Sequence, residues 1–497
     1  MSDLITLTAT DGTEITFHTE VKAAGGMKDV YFSPDKTFVV AFYREDCTEE
    51  IRQRLEAITG LYRERIFNQA GGDYWKNIFC WPSKIVLYKN KIGVVVPFYS
   101  QDFYFKFGSK NGDMLGIKGR EKEGKWFTSP SNRNKYLDQR EIGTWLCQLR
   151  ICILIARGVR RLHAAGLAHS DLSYKNILVD PTTGKACLID LDGLVVPGKF
   201  SPDVVGTPDF IAPECVMTAH LKKDDPNRKL PSIATDEHAL ATLIYLYLLL
   251  RHPLRGDQIH DSQDAARDET LAMGAYALFI EHPVNPSNRI NLNTIQDAEL
   301  PWKNTQTLPY SITGPYLSTL FETAFVDGLH QPSLRPTASE WETALLKTAD
   351  EIIPCSNPNC RQKWYVFDNS TAPACPFCAT PYAQKLAVIN FYSSYEPGKF
   401  TADNHRLAAF TNQSLYRWHS NRDTRPNEML SQEQKMRLGY IVNHNNALHL
   451  VNERYEHLYD VAKKIAIPAG DSIILEEGTT LLFSKQHDGR LGVVQLI

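Results

Sequence analysis

Apolar and polar positions change their spacing several times along this chain of 497 residues. Over the first 45 residues, β-branched and polar residues alternate between turn signals, and this pattern predicts strands and hairpins. Helical spacing follows from Ile51 to Tyr62, with Thr48 placed to cap the first turn. The run KIGVVVPFY, from Lys91 to Tyr99, predicts a buried strand. The amino-terminal part is therefore predicted to be rich in strands.

Helical periodicity dominates the middle of the chain. It predicts a helix from Trp145 to Ala165, ended by Gly166, and further helices to about Lys347. Two polar insertions stand out, FGSKNGDMLGIKGREKEGKW and KKDDPNRK, and we interpret both as solvated loops. Short strands return over the last hundred residues, and we find no internal repeat.

Composition narrows the function classes. The net charge of -3 gives no basic field, so no nucleic-acid partner is expected. The longest apolar run, Ala239 to Leu250, is too short to cross a bilayer and predicts a buried helix. The first residues lack the basic and apolar regions of a signal peptide, and most cysteines are scattered among apolar residues, as in a reducing compartment. We therefore expect a cytoplasmic protein without membrane association.

The stretch HSDLSYKNIL, followed by the predicted strand ACLI, indicates metal–phosphate chemistry. Its loop carries Asp171 and Asn176, and the strand delivers Asp190 from a second direction. Asn176 and Asp190 would hold Mg²⁺ against the phosphates of a nucleotide, because hard cations prefer oxygen ligands. Asp171 would orient an incoming hydroxyl and accept its proton. The alternative is a turn whose Asx residues only cap the local backbone.

These residues belong to a longer set that resembles eukaryotic-type protein kinases over roughly residues 21–347. RLHAAGLAHSDLSYKNIL resembles the helix and catalytic loop of that family, residues 189–192 stand where it has Asp-Phe-Gly, and GTPDFIAPE resembles the end of its activation segment. Asp236 matches the family's buried helix aspartate. Arg335 matches the arginine that pairs with the glutamate of Ala-Pro-Glu, here Glu214.

The resemblance implies an α+β class with a bilobal, protein-kinase-like fold over residues 1–350, the N-lobe ending near residue 98 and the C-lobe covering about 99–350. It implies ATP and Mg²⁺ as cofactors and a protein as substrate. Thr207 stands where serine/threonine kinases use a threonine to bond the catalytic aspartate, so serine or threonine is the expected acceptor.

The chain departs from the family pattern at three cations. Ser170 replaces the arginine before the catalytic aspartate, so activation by loop phosphorylation is not expected. Ser173 replaces the lysine two residues after it. The third strand, TFVVAFYRE, has no lysine, and Ala41 or Tyr43 faces inward where the family's lysine contacts the phosphates. Loss of that charge should be severe, because phosphoryl transfer depends on positioning and electrostatics.

The segment AAGGMKDVYF offers a replacement for the missing lysine. It resembles a glycine-rich loop in which Gly25, Gly26 and Val30 keep their places and Lys28 stands at the third glycine. With-no-lysine kinases are similar, since their ATP-contacting lysine comes from that position. The alternative is a solvent-facing strand lysine. The partner glutamate on the next helix is expected to be one of three: Glu56, or else Glu64 or Glu50.

Four cysteines form a compact motif after the kinase-like region. Fourteen residues separate the pair Cys355 and Cys360 from the pair Cys375 and Cys378, and paired thiolates on two short turns form the tetrahedral cage that zinc prefers. We predict a structural zinc ribbon over residues 351–385, the alternative being disulfides in a secreted module. Residues 386–497 are predicted to form a small all-β module, with a vague resemblance to forkhead-associated domains.

This domain order resembles bacterial kinases linked to tellurite-resistance-type operons. The resemblance implies a von Willebrand A-domain protein and a PP2C-type phosphatase as partners. Three hypotheses for function follow: an active serine/threonine kinase that uses Asp171, Asn176, Asp190 and Lys28, a nucleotide-binding pseudokinase scaffold, and a small-molecule kinase. The segment GTPDFIAPE argues against the third, because relatives that phosphorylate small molecules lack it.

Overall fold

The computed structural model describes residues 3–21, 23–24, 27–69, 71–196, 199–200, 206–222, 224–294, 304–396 and 398–497. The chain forms two compact units. The first comprises residues 1–143, 147–306 and 320–342, and the second comprises residues 144–146, 307–319 and 343–497.

The first unit begins with two small sheets. Its elements up to residue 97 are β1 (Leu4–Thr8), β2 (Glu14–His18), β3 (Ala23–Ala24), β4 (Lys28–Phe32), β5 (Phe38–Tyr43), α1 (Glu49–Ala57), α2 (Arg63–Phe67), α3 (Gly72–Trp75), β6 (Lys84–Tyr88) and β7 (Lys91–Pro97). Strands β1 and β2 form a hairpin, and the other five form an antiparallel sheet in the order β3-β4-β5-β7-β6. The predicted cap is confirmed, since the Thr48 side chain accepts a hydrogen bond from the Ile51 amide.

Strand pairing decides which side chains of this sheet face the same way. Lys28 lies opposite Tyr43, and Val30 lies opposite Ala41. Residues directly opposite each other in an antiparallel pair lie on the same face of the sheet, and so do alternate residues of one strand. These four side chains therefore share a face, whereas Phe42 belongs to an aromatic core on the other face.

The rest of the first unit is mainly helical. Its elements are α4 (Lys110–Asp113), α5 (Trp145–Ala164), β8 (Ile177–Asp180), β9 (Lys185–Leu188), α6 (Pro213–Thr218), α7 (Ile233–Leu249), α8 (Ala265–Met273), α9 (Pro315–Glu322) and α10 (Ala338–Asp350), and α5, α9 and α10 each extend into the second unit. The predicted long helix from Trp145 is confirmed. So is the buried helix around residues 239–249, which lies in α7 with every side chain from Thr235 to Leu249 buried. None of the described helices combines the length and apolar character needed to cross a membrane.

The interpretation of residues 107–126 as a solvated loop is wrong for Lys122. Its side chain is 1% exposed, and Nζ lies 3.1 Å from Glu141 Oε2 and 3.2 Å from Asp180 Oδ1. The backbone of Lys122 also bonds Phe103 and Val179. A buried ammonium needs such partners, so the part of the segment around Lys122 belongs to the core, whereas residues such as Lys118 are exposed.

The second unit is rich in strands. Its elements after α10 are β10 (Ile352–Pro354), β11 (Trp364–Val366), β12 (Ala387–Glu396), β13 (Lys399–Ala409), β14 (Ser414–Leu415), α11 (Arg417–Ser420), β15 (Gly439–His444), β16 (Ala447–Asn452), β17 (Tyr459–Asp460), β18 (Ile465–Ala466), β19 (Ser472–Ile474), β20 (Thr480–Leu482) and β21 (Arg490–Leu496). Strands β10 and β11 pair in a hairpin. The other strands form a six-stranded sheet, β13-β12-β21-β20-β17-β18, and a four-stranded sheet, β14-β15-β16-β19. Leu407, Ile441, Leu450 and Val494, from both larger sheets, share one buried core.

The buried Lys122 gives a test of the first unit. Replacing it in Lys122→Ala leaves the carboxylates of Glu141 and Asp180 buried without their ammonium, so the free energy of unfolding should fall by about 3–5 kcal/mol. Urea unfolding followed by circular dichroism measures the change. The exposed Lys118 in the same segment is the control, and Lys118→Ala should alter stability by less than about 0.5 kcal/mol. Equal midpoints for the two variants would contradict a stabilising role for the buried cation.

Candidate active site

Lys28, at the start of β4, connects the sheet to the turn after β9. Its Nζ lies 2.8 Å from Asp190 Oδ1, and it lies 2.8 Å and 2.7 Å from the two carboxylate oxygens of Asp192. The Lys28 side chain is 18% exposed, that of Asp190 49% and that of Asp192 5%. The interpretation of Lys28 as a solvent-facing strand lysine is therefore wrong.

Asp192 is the buried anchor of this group. Tyr43, opposite Lys28 on β5, donates its hydroxyl to Asp192 Oδ2. Burial favours the neutral form of the Asp192 carboxyl, yet Lys28 and Tyr43 hold its pKa below the usual value. Burial opposes the charged form of Lys28, but Asp192 and then Asp190 raise its pKa well above the usual value. The ammonium and the carboxylate therefore keep each other ionised.

The Lys28 group lies in the wall of a cavity of about 400 Å³. The walls are mainly apolar and come from β4, β5, β7 and the segment after β7; they include Val30, Phe32, Ala41, Val94 and Phe98. Lys28, Asp190 and Asp192 line the cavity as well. A mostly apolar cavity with a few charged groups at one place is the usual form of a small-molecule site.

Asp171 lies on the loop between α5 and β8 and is held from two sides. Its Oδ1 accepts hydrogen bonds from the Thr207 amide, at 2.7 Å, and from the Thr207 hydroxyl, at 2.8 Å. Its Oδ2 accepts one from Asn176 Nδ2 at 2.9 Å. The contact predicted between Thr207 and the aspartate is confirmed. Ser173, which stands where the family has a lysine, is buried, and its hydroxyl oxygen lies 3.2 Å from that of Thr207.

Asn176 connects this loop to the Asp190 turn. Its side-chain nitrogen also donates to the backbone carbonyl of Asp171 at 2.8 Å, and its backbone carbonyl accepts a hydrogen bond from the Ile189 amide at 3.0 Å. The amide oxygen Oδ1 is thus the side-chain atom left for a cation. Asp190 has a left-handed backbone, with φ of 59°, which non-glycine residues adopt mainly where surrounding contacts hold them.

Asp236 of α7 fixes the other end of the loop. The buried carboxylate accepts the amides of His169, at 2.6 Å, and Ser170, at 3.2 Å. Ser170 has a φ of 67°, so these bonds stabilise a conformation that a non-glycine residue rarely takes. The predicted role of Asp236 as a buried helix aspartate is confirmed.

An ion pair that the sequence predicted anchors the segment that ends at Glu214. Arg335 donates to Glu214 through two nitrogens, at 2.8 Å and 2.7 Å, and its guanidinium also donates to the carbonyls of Ala234, Gly328 and Leu329. A bidentate pair of this kind is strong and directional. The prediction that Arg335 pairs with Glu214 is confirmed.

Two further predictions concerned the surroundings of Lys28, namely the glycines before it and a glutamate partner on the next helix. Gly25 and Gly26 lie outside the described residues. The three glutamates proposed as the lysine's partner, Glu50, Glu56 and Glu64, have exposed side chains, and the carboxylates that bond Lys28 are Asp190 and Asp192 instead. Helix α1 buries the side chain of Arg54. The signal that was missed is the second aspartate of LIDLDG.

The four predicted metal-ligand cysteines come together in the second unit. All four Sγ atoms lie within 4.8 Å of one another, with 3.5 Å between Cys355 and Cys378 and 3.9 Å between Cys360 and Cys375. These separations exceed the roughly 2 Å of a disulfide bond. A tetrahedral zinc ion with Zn–S distances of about 2.3 Å places its sulfurs about 3.8 Å apart, so the donor set fits zinc.

Residues 123–326 match the family model of the protein kinase domain. The dual serine/threonine and tyrosine protein kinase of Apis mellifera is 28% identical over 135 residues, which are 27% of this chain and 13% of that protein. The death-associated protein kinase of Caenorhabditis elegans is 32% identical over 139 residues, 27% of this chain and 8% of that protein.

Two further matches are one to a sequence and one to a solved structure. The human dual serine/threonine and tyrosine protein kinase is 37% identical over 67 residues, 14% of this chain and 7% of that protein. The crystal structure of a Toxoplasma gondii specific rhoptry antigen kinase domain covers 69% of this chain and 85% of that one, with 14% identity and a TM-score of 0.39. The chain spans a small part of each of these curated relatives.

Proposed function

We propose that this chain is a serine/threonine protein kinase that transfers the γ-phosphate of ATP with the help of Mg²⁺, and that Lys28 supplies the ammonium that contacts the phosphates. The observation that carries the proposal is the position of Lys28 Nζ, 2.8 Å from Asp190 Oδ1 in the lining of the 400 Å³ cavity. The apolar walls suit a nucleoside, and the ammonium suits its phosphates.

Asp190 and Asn176 are the residues that would hold Mg²⁺. The half-exposed Asp190 carboxylate and the amide oxygen of Asn176 are both oxygen donors, which a hard cation prefers, and hydrogen bonds of the Asn176 nitrogen to Asp171 support this orientation of the amide. Bound there, the ion would neutralise charge on the phosphates. Resemblance and donor chemistry together support this assignment.

Asp171 would orient the acceptor hydroxyl and take its proton. Hydrogen bonds from Thr207 and Asn176 fix both carboxylate oxygens, and an ionised carboxylate can still accept a further hydrogen bond. The role of Thr207 in this cradle supports serine or threonine as acceptor. The anchored segment ending in Glu214 supports a polypeptide substrate over a small molecule.

Asp192 would position Lys28, which is the role that the sequence predicted for a glutamate on the helix after the third strand. Its two oxygens bond the ammonium, while Tyr43 holds one of them. Once a cation engages Asp190, Asp192 would remain as the partner that keeps Lys28 charged and directed toward the cavity.

The alternative is a nucleotide-binding pseudokinase that acts as a scaffold. It is favoured by Ser170 and Ser173, which bring no cation to the catalytic loop, and by the uncharged Ala41 on β5. By resemblance, the partners would be a von Willebrand A-domain protein and a PP2C-type phosphatase, and the location would be the cytoplasm. The likeness of residues 386–497 to forkhead-associated domains and the domain limits stay predictions.

Transfer of labelled phosphate from ATP tests the proposal. With magnesium and a generic protein acceptor, both Asp190→Asn and Lys28→Met should lower kcat by at least about 100-fold, because each removes a charge that acts on the transferring group. The exposed Lys106 gives the matched control, and Lys106→Met should leave kcat unchanged.

Two outcomes would contradict parts of the proposal. If Lys28→Met retains full transfer while Asp190→Asn does not, another group contacts the phosphates. If the wild-type chain binds ATP in a calorimetric titration but transfers nothing to any acceptor or to itself, the scaffold alternative replaces the kinase.

The pH profile tests the role of Asp192. Asp192→Asn keeps the shape of the side chain but removes the carboxylate that contributes most to raising the Lys28 pKa. The lysine then loses its proton at lower pH, so the alkaline limb of kcat/KM should move to lower pH, and kcat/KM at neutral pH should fall about tenfold. Tyr43→Phe keeps the charge of Asp192 and should shift the limb less. Loss of activity with an unmoved limb would mean that Asp192 acts only through folding.

The four-cysteine cluster is proposed to bind structural zinc. Four thiolates fill the coordination sphere and leave no open position for chemistry. Cys360 and Cys375 lie in a small buried cluster with Ile353 and Tyr365 of the hairpin β10–β11, so the metal would help to hold this segment folded.

Metal analysis and thermal unfolding test the zinc proposal. The purified chain should contain about one zinc per molecule. Cys375→Ser should lose the metal and lower the melting temperature of the second unit, because metal binding and local folding are linked. Cys47, in the first unit, is the control, and Cys47→Ser should retain the zinc. A wild-type chain purified without chelators that holds no zinc would contradict the assignment.

A further inference from the structure

A second cavity, of about 280 Å³, lies wholly within the unit that contains residues 343–497. It is lined by the end of α10, the hairpin β12–β13, residues 418–426 and the first residue of β21. Four of the lining side chains are basic: Lys347, Arg422, Arg425 and Arg490. They come from three separate segments of the chain, so their convergence is a product of the fold.

The two carboxylates that line the cavity are already engaged. Asp350 accepts hydrogen bonds from His405 Nε2, at 2.7 Å, and from His419 Nε2, at 3.2 Å. Asp403 accepts Arg490 Nε at 2.8 Å and the Ser393 hydroxyl at 2.7 Å. Arg490 is thus the one basic side chain of the four whose partner is a carboxylate of the lining.

The other three basic groups retain positive charge toward the cavity. Arg422 bonds the exposed Asp423, which does not line the cavity. Arg425 makes no hydrogen bond to another residue that the structure describes. Lys347 donates to a backbone carbonyl, that of Asn404, at 2.7 Å, and burial together with the neighbouring Arg490 and Arg425 lowers its pKa. An anion in the cavity would relieve this repulsion.

Two aromatic side chains complete the lining. The Arg422 guanidinium lies 4.2 Å from the centre of the Tyr395 ring, within cation–π distance, and Trp418 lines the same cavity. A guanidinium group can donate two parallel hydrogen bonds to two oxygens of one phosphate. Aromatic rings next to such a group can pack against the organic part of a ligand.

We propose that this cavity binds a phosphate group carried by a small organic monoester, with Arg425, Arg422 and Lys347 as its ligands and Trp418 and Tyr395 against the organic part. A dianion matches three basic groups that lack a carboxylate within the cavity. The site is separate from the proposed kinase chemistry, and its existence does not depend on that chemistry.

Calorimetric titration of the full chain with inorganic phosphate and with phenyl phosphate tests the proposal. Both should bind saturably, and Arg425→Gln should weaken binding about tenfold, since it removes one charged ligand. Arg425 is exposed, so this variant should fold. Arg361, another exposed arginine of the same unit, is the matched control, and Arg361→Gln should bind as the wild type does.

A second variant should act in the opposite direction. Asp423 competes with the ligand for Arg422, so Asp423→Asn should tighten binding several-fold. Tighter binding of phenyl phosphate than of phosphate, abolished in Trp418→Ala, would identify an organic monoester as the ligand; equal binding of both would identify free phosphate instead. Absence of saturable binding, indifference to Arg425→Gln, or weaker binding by Asp423→Asn would each overturn the proposal.

Discussion

The buried ion pair between Lys28 and Asp192 is the interaction on which the candidate site depends. Charges removed from water are tolerated only when each finds a partner and further hydrogen bonds, and here Tyr43 supplies the additional donor. The pair connects β4 to the turn that carries Asp190. The position of Asp190 relative to the sheet therefore follows from where a strand lysine must place its charge.

The same pair accounts for an otherwise puzzling distribution of charge on α1. If Lys28 had no other carboxylate partner, the neighbouring helix would be expected to turn a glutamate toward it. Instead, Glu56 is exposed and Arg54 is buried. With Asp192 and Asp190 already bonded to the ammonium, a further carboxylate from the helix would add a buried negative charge without a partner. The carboxylate that bonds the lysine therefore comes from the turn after β9, two residues beyond Asp190, and not from the helix.

What could be predicted from the sequence depended on how local the determinants were. Asp171 and Asn176 are five residues apart on one loop, and the Cys355 and Cys375 pairs each form a short turn, so spacing alone indicated their meeting. Lys28 and Tyr43 meet only through the register of β4 and β5, and Lys122 is buried only because distant carboxylates converge on it. Neither the register nor that convergence leaves a period in the sequence.

The cationic cavity of the second unit could not be predicted from the sequence either. Arg422 and Arg425 stand in a polar stretch that looks like any solvated loop, and Lys347 ends a helix where a basic residue is favourable in any case. Only the fold brings them beside Arg490. Because like charges repel, such a cluster lowers stability unless its members find carboxylates or an external anion. Of these four basic side chains, Arg490 is the one hydrogen-bonded to Asp403, and the positive charge of the other three is what the proposed anion would balance.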